Sequence, residues 1–512
     1  MRNTFIYLLT ISCILFARSP EEKSGTIAIM KAHAEGRLSM IDSYEPMRPS
    51  LPYNYDTPEG HFRVHYDLSG YNAVDSVDYV HKIGQYLEQS WSFYMDTLGY
   101  LPPPSDGMEG GDGRYDVYLR DISAYGQTWP GGDGPQPWFD WSSYIEIEND
   151  FDGVYPNDDP EGAVMGAMKI TCAHEFHHAV QYGLCGTSGA WIAELTSVYY
   201  EERVYPQVND YVWLIEYLTT NPELPLDWES GYHMYGLGLF SQYFGKIHGD
   251  GFLASVWDTM RFIEDWPALC AISDIRAGGL PNLYSEFAAM ALLIGGRDCG
   301  FFPDGPALSD MGVENTHHSY PTGGSTSNRP YGFGSNYIVF QGFPAEDTDL
   351  IVDFHGEQTI DWHVLSIWKS GDSVAIRDGV RSDTAGVIVV PMVNEAEFAA
   401  IAVVPSGDTR TRYTFSYSAD IAPSAIEEHR IPRGKELVAA YPNPFNASCI
   451  VEAEGSQVEI FDNSGRIVAT LPLTEGRTRW SGTNSLGEAL PSGLYLIRTE
   501  KANSLYPIVL LK

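Results

Sequence analysis

One short pattern in the sequence has the residue types and spacing to bind a metal ion and activate water. It is His174-Glu175-Phe176-His177-His178, inside an otherwise apolar stretch. Residues four apart share a helix face, so the imidazoles of His174 and His178 can meet one zinc ion at about 2.0–2.1 Å. Glu175 lies about 100° further round the helix and can accept a proton from water at the metal, whereas His177 points elsewhere. We predict His174 and His178 as zinc ligands and Glu175 as general base.

A zinc site for hydrolysis needs a third protein ligand from another element. Glu194 is the best candidate, because the glycine-rich loop 183–189 allows a second helix to fold back onto the first. Glu194 also sits among apolar residues, where an unpaired carboxylate would be unfavourable. Glu201 and Glu202 end the same helix like a solvated face and are the alternative ligands.

Hydrolysis of a peptide bond also needs a hydrogen-bond donor for the tetrahedral oxyanion. The stretch 231–240 begins a further helix that carries Tyr232, His233 and Tyr235. We predict Tyr235 as this donor, with a plain packing role as its alternative. The predicted reaction is hydrolysis of a protein or peptide substrate by a zinc-activated water.

We predict that the helices and strands around these residues form an α+β domain over residues 56–300. A strand at 61–66 and an amphipathic helix at 73–98 open it, followed by short strands at 116–119 and 144–147. Apolar spacing and glycine or proline boundaries then predict helices at 163–182, 190–204, 209–219, 232–247, 251–262 and 283–294.

Short β-branched and aromatic runs replace helical patterns after about residue 300. They predict seven strands and a β-sandwich domain over residues 301–420. A proline- and glycine-containing linker follows at 421–436, and a second all-β domain occupies 437–512. The seven predicted strands are 337–340, 350–354, 363–368, 374–377, 387–390, 401–404 and 413–417.

The first residues indicate export. Residues 1–19 read as a signal peptide, with Arg2 ahead of an apolar run at 5–17 that is too short to span a bilayer. Residues 20–55 are polar with one short helical pattern and read as a leader or propeptide. We expect no transmembrane span, because no later run reaches about 18 apolar residues.

The charge balance excludes nucleic-acid partners. The 512 residues include 31 Lys and Arg against 68 Asp and Glu, a formal charge of −37. Binding to phosphates or anionic lipids is driven by basic residues, so neither is expected. The acidic loop 149–161 has the carboxylates for a Ca²⁺ site but no EF-hand spacing, and a solvated loop is the alternative.

The catalytic half resembles the exported bacterial zinc metalloproteases of the gluzincin type. The likeness extends over residues 61–240 and implies a zincin-like domain in which His174, His178 and Glu194 hold zinc and Glu175 is the base. Leu195 follows Glu194 where such proteins often have glycine, and Val198 stands where better-known gluzincins keep an acidic residue. The motifs are His61-Phe-Arg-Val-His-Tyr, residues 98–106 and 111–119, His174-Glu-Phe-His-His, Trp191-Ile-Ala-Glu and Tyr235-Gly-Leu-Gly-Leu-Phe.

The C-terminal part resembles a type IX secretion sorting domain of type A. The likeness rests on Tyr441-Pro-Asn-Pro-Phe-Asn, on residues 458–466 and 480–482, and on Gly487-Glu-Ala-Leu-Pro-Ser-Gly-Leu-Tyr. It implies that the type IX secretion machinery of a Gram-negative bacterium carries the protein to the cell surface or the medium. An immunoglobulin-like adhesion module is the alternative for this domain.

A non-enzymatic surface protein, built on a protease-like scaffold and binding a polymer or a partner cell, is the rival function. Glu175 argues against it, because metal binding alone needs only the two histidines and Glu194.

Overall fold

The structure is a computed structural model that describes residues 23–37, 48–424, 438–441, 445–446, 448–453, 455–462, 466–474, 476–499 and 506–510. The predicted signal peptide, residues 1–19, lies outside the described residues, as does the predicted linker from residue 425 onward. The described chain is mixed helix and sheet, with several small sheets.

The first sheet has the spatial order β1-β2-β3-β5-β4, and β4 forms one of its edges. β2, β3 and β5 are parallel, whereas β1 and β4 pair antiparallel with their neighbours. The sequence does not predict β4, because Pro130 and three glycines interrupt its pattern, and an edge strand tolerates such residues. The strands are β1 (Tyr53–Asp56), β2 (Phe62–Tyr66), β3 (Tyr115–Arg120), β4 (Gly126–Asp133) and β5 (Trp141–Glu148).

The helices largely follow the predicted ranges. The helices predicted to begin at 163 and 190 do so. Those predicted at 209–219 and 232–247 are each divided in two, the one predicted at 73–98 is α-helical over 77–91, and the helix at 265–277 is not predicted. Among the described residues no helix is long and apolar enough to cross a membrane. The α-helices are α1 (Thr26–Ala34), α2 (Val77–Trp91), α3 (Ala163–Leu184), α4 (Ala190–Val204), α5 (Ile215–Thr220), α6 (His233–Gly236), α7 (Gly238–His248), α8 (Gly251–Met260), α9 (Asp265–Ala277) and α10 (Leu280–Ala291).

Helices α3 and α4 form the centre of the first domain. α3 packs against β4 and β5 on one side and against α2 and α4 on the others. Every residue of α3 from Gly166 to Leu184 is buried, and in α4 only Arg203 is exposed. Polar side chains on helices buried on all sides must find partners within the protein.

The described parts of residues 20–55, the predicted leader or propeptide, pack against the first domain. β1 belongs to the first sheet, and α1 packs on β4. The reason is apolar burial, since Ile27, Ile29 and Met30 of α1 all lie in the protein core.

The β-sandwich contains all seven predicted strands and two more, β6 and β7. Its sheets have the orders β11-β10-β13-β8-β6 and β12-β9-β14-β7. β14 extends to Pro423, past the predicted domain end at residue 420, because its pairing with β9 continues to Thr348. The strands are β6 (Asn315–His317), β7 (Thr322–Ser325), β8 (Asn336–Phe340), β9 (Thr348–Gly356), β10 (Trp362–Ser370), β11 (Ser373–Asp383), β12 (Ala385–Val390), β13 (Phe398–Pro405) and β14 (Phe415–Pro423).

The sandwich shares a core with the helical domain. The outer face of its first sheet packs against α10, and Tyr337, Leu365 and Ile367 lie in the same apolar cluster as the helices. This contact holds the two domains together through buried apolar surface.

The C-terminal domain has its own small core, which includes Trp480, Tyr495 and Ile497. Its two sheets have the orders β15-β16-β19 and β18-β17-β20-β21. The strands are β15 (Val438–Tyr441), β16 (Cys449–Ala453), β17 (Gln457–Phe461), β18 (Ile467–Pro472), β19 (Arg477–Trp480), β20 (Gly493–Thr499) and β21 (Tyr506–Leu510).

Candidate metal centre

The two predicted histidine ligands converge. His174 and His178 are one turn apart on α3, and their Nε2 atoms lie 3.0 Å from each other. The Nδ1 atom of His174 lies 2.6 Å from Oε1 of Glu201, and Nδ1 of His178 lies 2.7 Å from Oε1 of Gln181. Because a carboxylate and an amide oxygen can only accept, each Nδ1 carries the proton and donates it. Each Nε2 is therefore the ring nitrogen that can offer a lone pair to a metal ion.

Glu194 is brought to the same point by α4. Its Oε2 lies 3.1 Å from Nε2 of His174, and its Oε1 lies 3.4 Å from Nε2 of His178. Within the described residues, these three form the one group of three or more His, Cys, Asp or Glu whose ligand atoms lie within 4.8 Å of one another.

The arrangement fits zinc. Tetrahedral ligands at about 2.0–2.1 Å from the ion stand about 3.3 Å apart. The two Nε2 atoms are 3.0 Å apart, and they lie 3.1 Å and 3.4 Å from different oxygens of Glu194, all close to that value. Two imidazoles and one carboxylate are also a common zinc donor set, which leaves a fourth position for water or substrate. Both Glu194 oxygens are buried and face the two imidazoles.

The electrostatics of the cluster also favour a cation. Burial opposes the charged form of His174, but the carboxylates of Glu194 and Glu201 raise its pKa to about 10. Burial likewise opposes ionisation of Glu194, yet His174 and His178 lower its pKa to about 2. The buried carboxylates therefore attract positive charge to this point, which a divalent ion supplies.

Glu175 follows His174 on α3, and its carboxylate is held against β4. Its Oε2 is 2.7 Å from the hydroxyl of Thr26 and 2.7 Å from that of Thr128. Its Oε1 has no hydrogen-bond partner among the described residues. The approach to β4 requires glycine at position 126, because a Cβ there would lie 2.6 Å from Cγ of Glu175.

Tyr235 contacts one of the predicted ligands. Its ring stacks on His174 with centroids 6.4 Å apart. Burial, then the carboxylates of Glu194 and Glu175, raise the pKa of Tyr235 well above its usual value, so its hydroxyl keeps its proton. Tyr232 instead packs against Trp213 and Tyr217 in addition to Tyr235.

Glu201 and Glu202 do not form a solvated face. Glu201 is fully buried and Glu202 is 8% exposed. Glu201 lies outside the ligand group and orients His174 instead, because it is two turns beyond Glu194 on the same face of α4. Its other oxygen binds the ammonium of Lys23 at 2.7 Å, and Lys23 also binds Asp210 at 2.9 Å.

His177 points away from the ligands, as predicted. Its Nδ1 lies 2.9 Å from the Ser197 hydroxyl and accepts a hydrogen bond from Nε2 of Gln181 at 2.8 Å. Gln181 also donates to the carbonyl of Ala193 at 3.0 Å, which fixes its amide with Oε1 facing His178. The sequence does not single out Gln181, although a polar residue at i+3 from His178 in an apolar helix is a signal for it.

The acidic loop 149–161 contributes nothing to the ligand group given above. Asp159 and Glu161 both bind the ammonium of Lys169 at 2.8 Å, and Asp158 accepts a hydrogen bond from Asn209. A calcium ion at this loop stays a prediction.

Comparisons with known proteins do not establish a family. No family model and no curated protein match the chain. One similar solved structure is PorZ, a surface component of the type IX secretion system of Porphyromonas gingivalis, at 16% identity over 19% of this chain and 14% of PorZ, with a TM-score of 0.14. Another is the pre-peptidase C-terminal domain of a collagenase from Bacillus anthracis, at 10% identity over 22% of this chain and 100% of that domain, with a TM-score of 0.17. TM-scores this low show neither a shared fold nor a shared function.

Proposed function

We propose that the protein is a zinc-dependent endopeptidase with a zincin-like first domain. The observation that carries the proposal is the convergence of His174, His178 and Glu194, with Glu175 beside them on α3. The residues come from two helices that pack against each other and are buried on all sides. Side chains on such helices are held rigidly.

The residues of the chain then have distinct roles. Zinc in such a site acts as a Lewis acid and lowers the pKa of water. Glu175 takes the proton of the attacking water and delivers it to the leaving amine, for which its unpartnered Oε1 is available. Tyr235 donates a hydrogen bond to the oxyanion, and Glu201 and Gln181 keep the two imidazoles in the tautomer that binds zinc.

The test compares the purified chain with Glu175→Gln, a variant of the same shape. Zinc content and hydrolysis of unfolded casein are measured for both proteins, first as intact chains and then after a cut between residues 37 and 48. The cut allows the segment that carries Thr26 to leave, because Thr26 contacts Glu175 in the intact chain. We expect one zinc in both proteins and hydrolysis only with Glu175 present. Zinc without hydrolysis in every form would favour the rival surface-binding function.

We also propose that the C-terminal domain directs export by the type IX secretion machinery of a Gram-negative bacterium, to the surface or the medium. The sequence motifs at 441–446 and 487–495 support this, as does the separate core of the domain. In a host with that machinery, a chain ending at residue 436 should stay inside the cell while the full chain is exported. Equal export of both chains would contradict the proposal.

A further inference from the structure

A cavity of about 410 Å³ lies where the first domain meets the β-sandwich. The first domain lines it with the starts of α4 and α9, which carry Trp191 and Trp266, and the sandwich lines it with Phe333 and the turn 407–410. Cavities of this size at domain junctions are common binding places for small groups. The proposed zinc ligands do not line it, so it is distinct from the candidate metal centre.

Three aromatic rings form the apolar part of the cavity. The ring centroids of Trp191 and Trp266 are 5.9 Å apart with the planes at 56°, and those of Trp266 and Phe333 are 5.1 Å apart at 78°. Asp265 fixes the two tryptophans, because it accepts hydrogen bonds from Nε1 of Trp191 at 3.1 Å and from the amide of Trp266 at 2.7 Å. Rings inclined to one another can surround a cation, which is attracted to their negative faces.

The lining of the cavity also carries an excess of negative charge. Arg410 is the one cation among the described residues that line it. Lys31 adds a second cation from outside the lining, because its Nζ lies 2.8 Å from Oε2 of Glu229. The carboxylates of the lining are four, which leaves a formal charge of −2 and favours a positively charged guest. They are Asp227, Glu229, Asp265 and Asp408.

The cavity begins one helical turn from a proposed zinc ligand. Trp191 precedes Glu194 by three residues on α4, which corresponds to about 4.5 Å along the helix axis. Asp265 is joined to the start of the same helix, because it accepts a hydrogen bond from the amide of Gly189 at 3.0 Å. An extended peptide advances about 3.3 Å per residue, so a peptide bond at the metal and a side chain in the cavity can belong to one short stretch of substrate.

We propose that this cavity binds a lysine or arginine side chain of the protein substrate and so selects the peptide bonds that are cleaved. This rests on the proposed endopeptidase function. The ammonium or guanidinium group lies against the aromatic faces, and the carboxylates of Asp227 and Asp408 balance its charge. Arg410 competes for Asp227, with which it pairs at 3.2 Å, and therefore weakens the binding.

Calorimetry with short peptides tests the binding directly. The protein is the full chain with zinc and Glu175→Gln, so that the peptides are not hydrolysed. The probes are blocked pentapeptides with lysine, norleucine or glutamate at the centre of four alanines. We expect the lysine peptide to bind about tenfold more tightly than the norleucine peptide, with a difference that decreases as salt is added. Equal affinities, or tighter binding of the glutamate peptide, would overturn the proposal.

Matched variants in the same protein locate the contacts. Asp408→Asn should reduce the preference for lysine over norleucine about threefold, whereas Arg410→Gln should increase it, because Asp227 loses a competing partner. Trp266→Leu should weaken binding of lysine but not of norleucine, since leucine keeps the apolar surface without the π-face. Asp353→Asn, on β9 and outside the lining, is the control and should change neither affinity. A preference unchanged in all three cavity variants would overturn the site.

The products of hydrolysis separate the two proposals. With the chain cut between residues 37 and 48, mass spectrometry of casein fragments should show lysine or arginine at one fixed position relative to the cleaved bond. Cleavage without that preference would overturn the role of the cavity and leave the endopeptidase standing. Selective binding of the lysine peptide without any hydrolysis of casein would support the cavity and count against the endopeptidase.

Discussion

Replacing Glu201 by glutamine tests whether the carboxylate behind His174 sets the metal affinity. Glutamine has the same shape and still accepts the hydrogen bond from Nδ1 of His174. It removes, however, the negative charge that strengthens the imidazole as a ligand and that pairs with Lys23. We expect zinc affinity to fall by roughly 10- to 100-fold. The free energy of unfolding should fall by less than the about 3–5 kcal/mol of a fully broken buried pair, because Asp210 still binds Lys23.

Glu202→Gln is the matched control, since Glu202 is the next residue on the same helix and is also buried. Burial, then the charges of Glu201 and Asp304, raise the pKa of Glu202 well above its usual value. Glutamine resembles its protonated form, so we expect unchanged zinc affinity and no loss of stability at neutral pH. Competition with a chromogenic chelator measures the affinity, and urea unfolding measures the stability. Equal zinc affinities in the two variants would refute the role of Glu201.

Three further changes test other parts of the site and the fold. Tyr235→Phe should keep zinc and lower kcat roughly 100-fold or more, measured on the cut chain, because it removes an oxyanion donor; an unchanged kcat would leave Tyr235 a packing residue. Gly126→Ala should keep zinc and lower kcat, because the added Cβ displaces Glu175, and a crystal structure of the variant would show that displacement. Burial lowers the pKa of His233 to about 4. This lowered pKa makes the free energy of unfolding depend on pH: it is highest above the unfolded pKa of about 6.5 and decreases as pH falls toward 4. In His233→Leu, urea unfolding at several pH values should show that this decrease is smaller by at most about 3 kcal/mol.

The helices that carry the proposed ligands follow closely from the sequence. α3 and α4 begin where glycine precedes an apolar run, and the spacing of four between His174 and His178 fixes their common face. The loop between α3 and α4 is short, so Glu194 had to return near His178. The local sequence pattern therefore predicts the placement of side chains that lie on one helix or on the next helix along the chain.

The remaining features depend on contacts that no local pattern records. Whether Glu201 faces solvent or His174 is decided by how α4 packs, not by its position near the end of the helix. Thr128 lies on β4, which the sequence pattern does not predict because proline and glycines interrupt it. Thr26 is 149 positions from Glu175 along the chain, and both threonines contact Glu175. Such long-range pairs follow from the packing of α1 on β4.

Anomalous scattering at the zinc absorption edge, measured on a crystal of the full chain, would locate the metal. We expect one peak within about 2.1 Å of the Nε2 atoms of His174 and His178 and of a Glu194 oxygen. A zinc peak elsewhere, or no zinc in a chain purified with zinc present, would contradict the proposed zinc site.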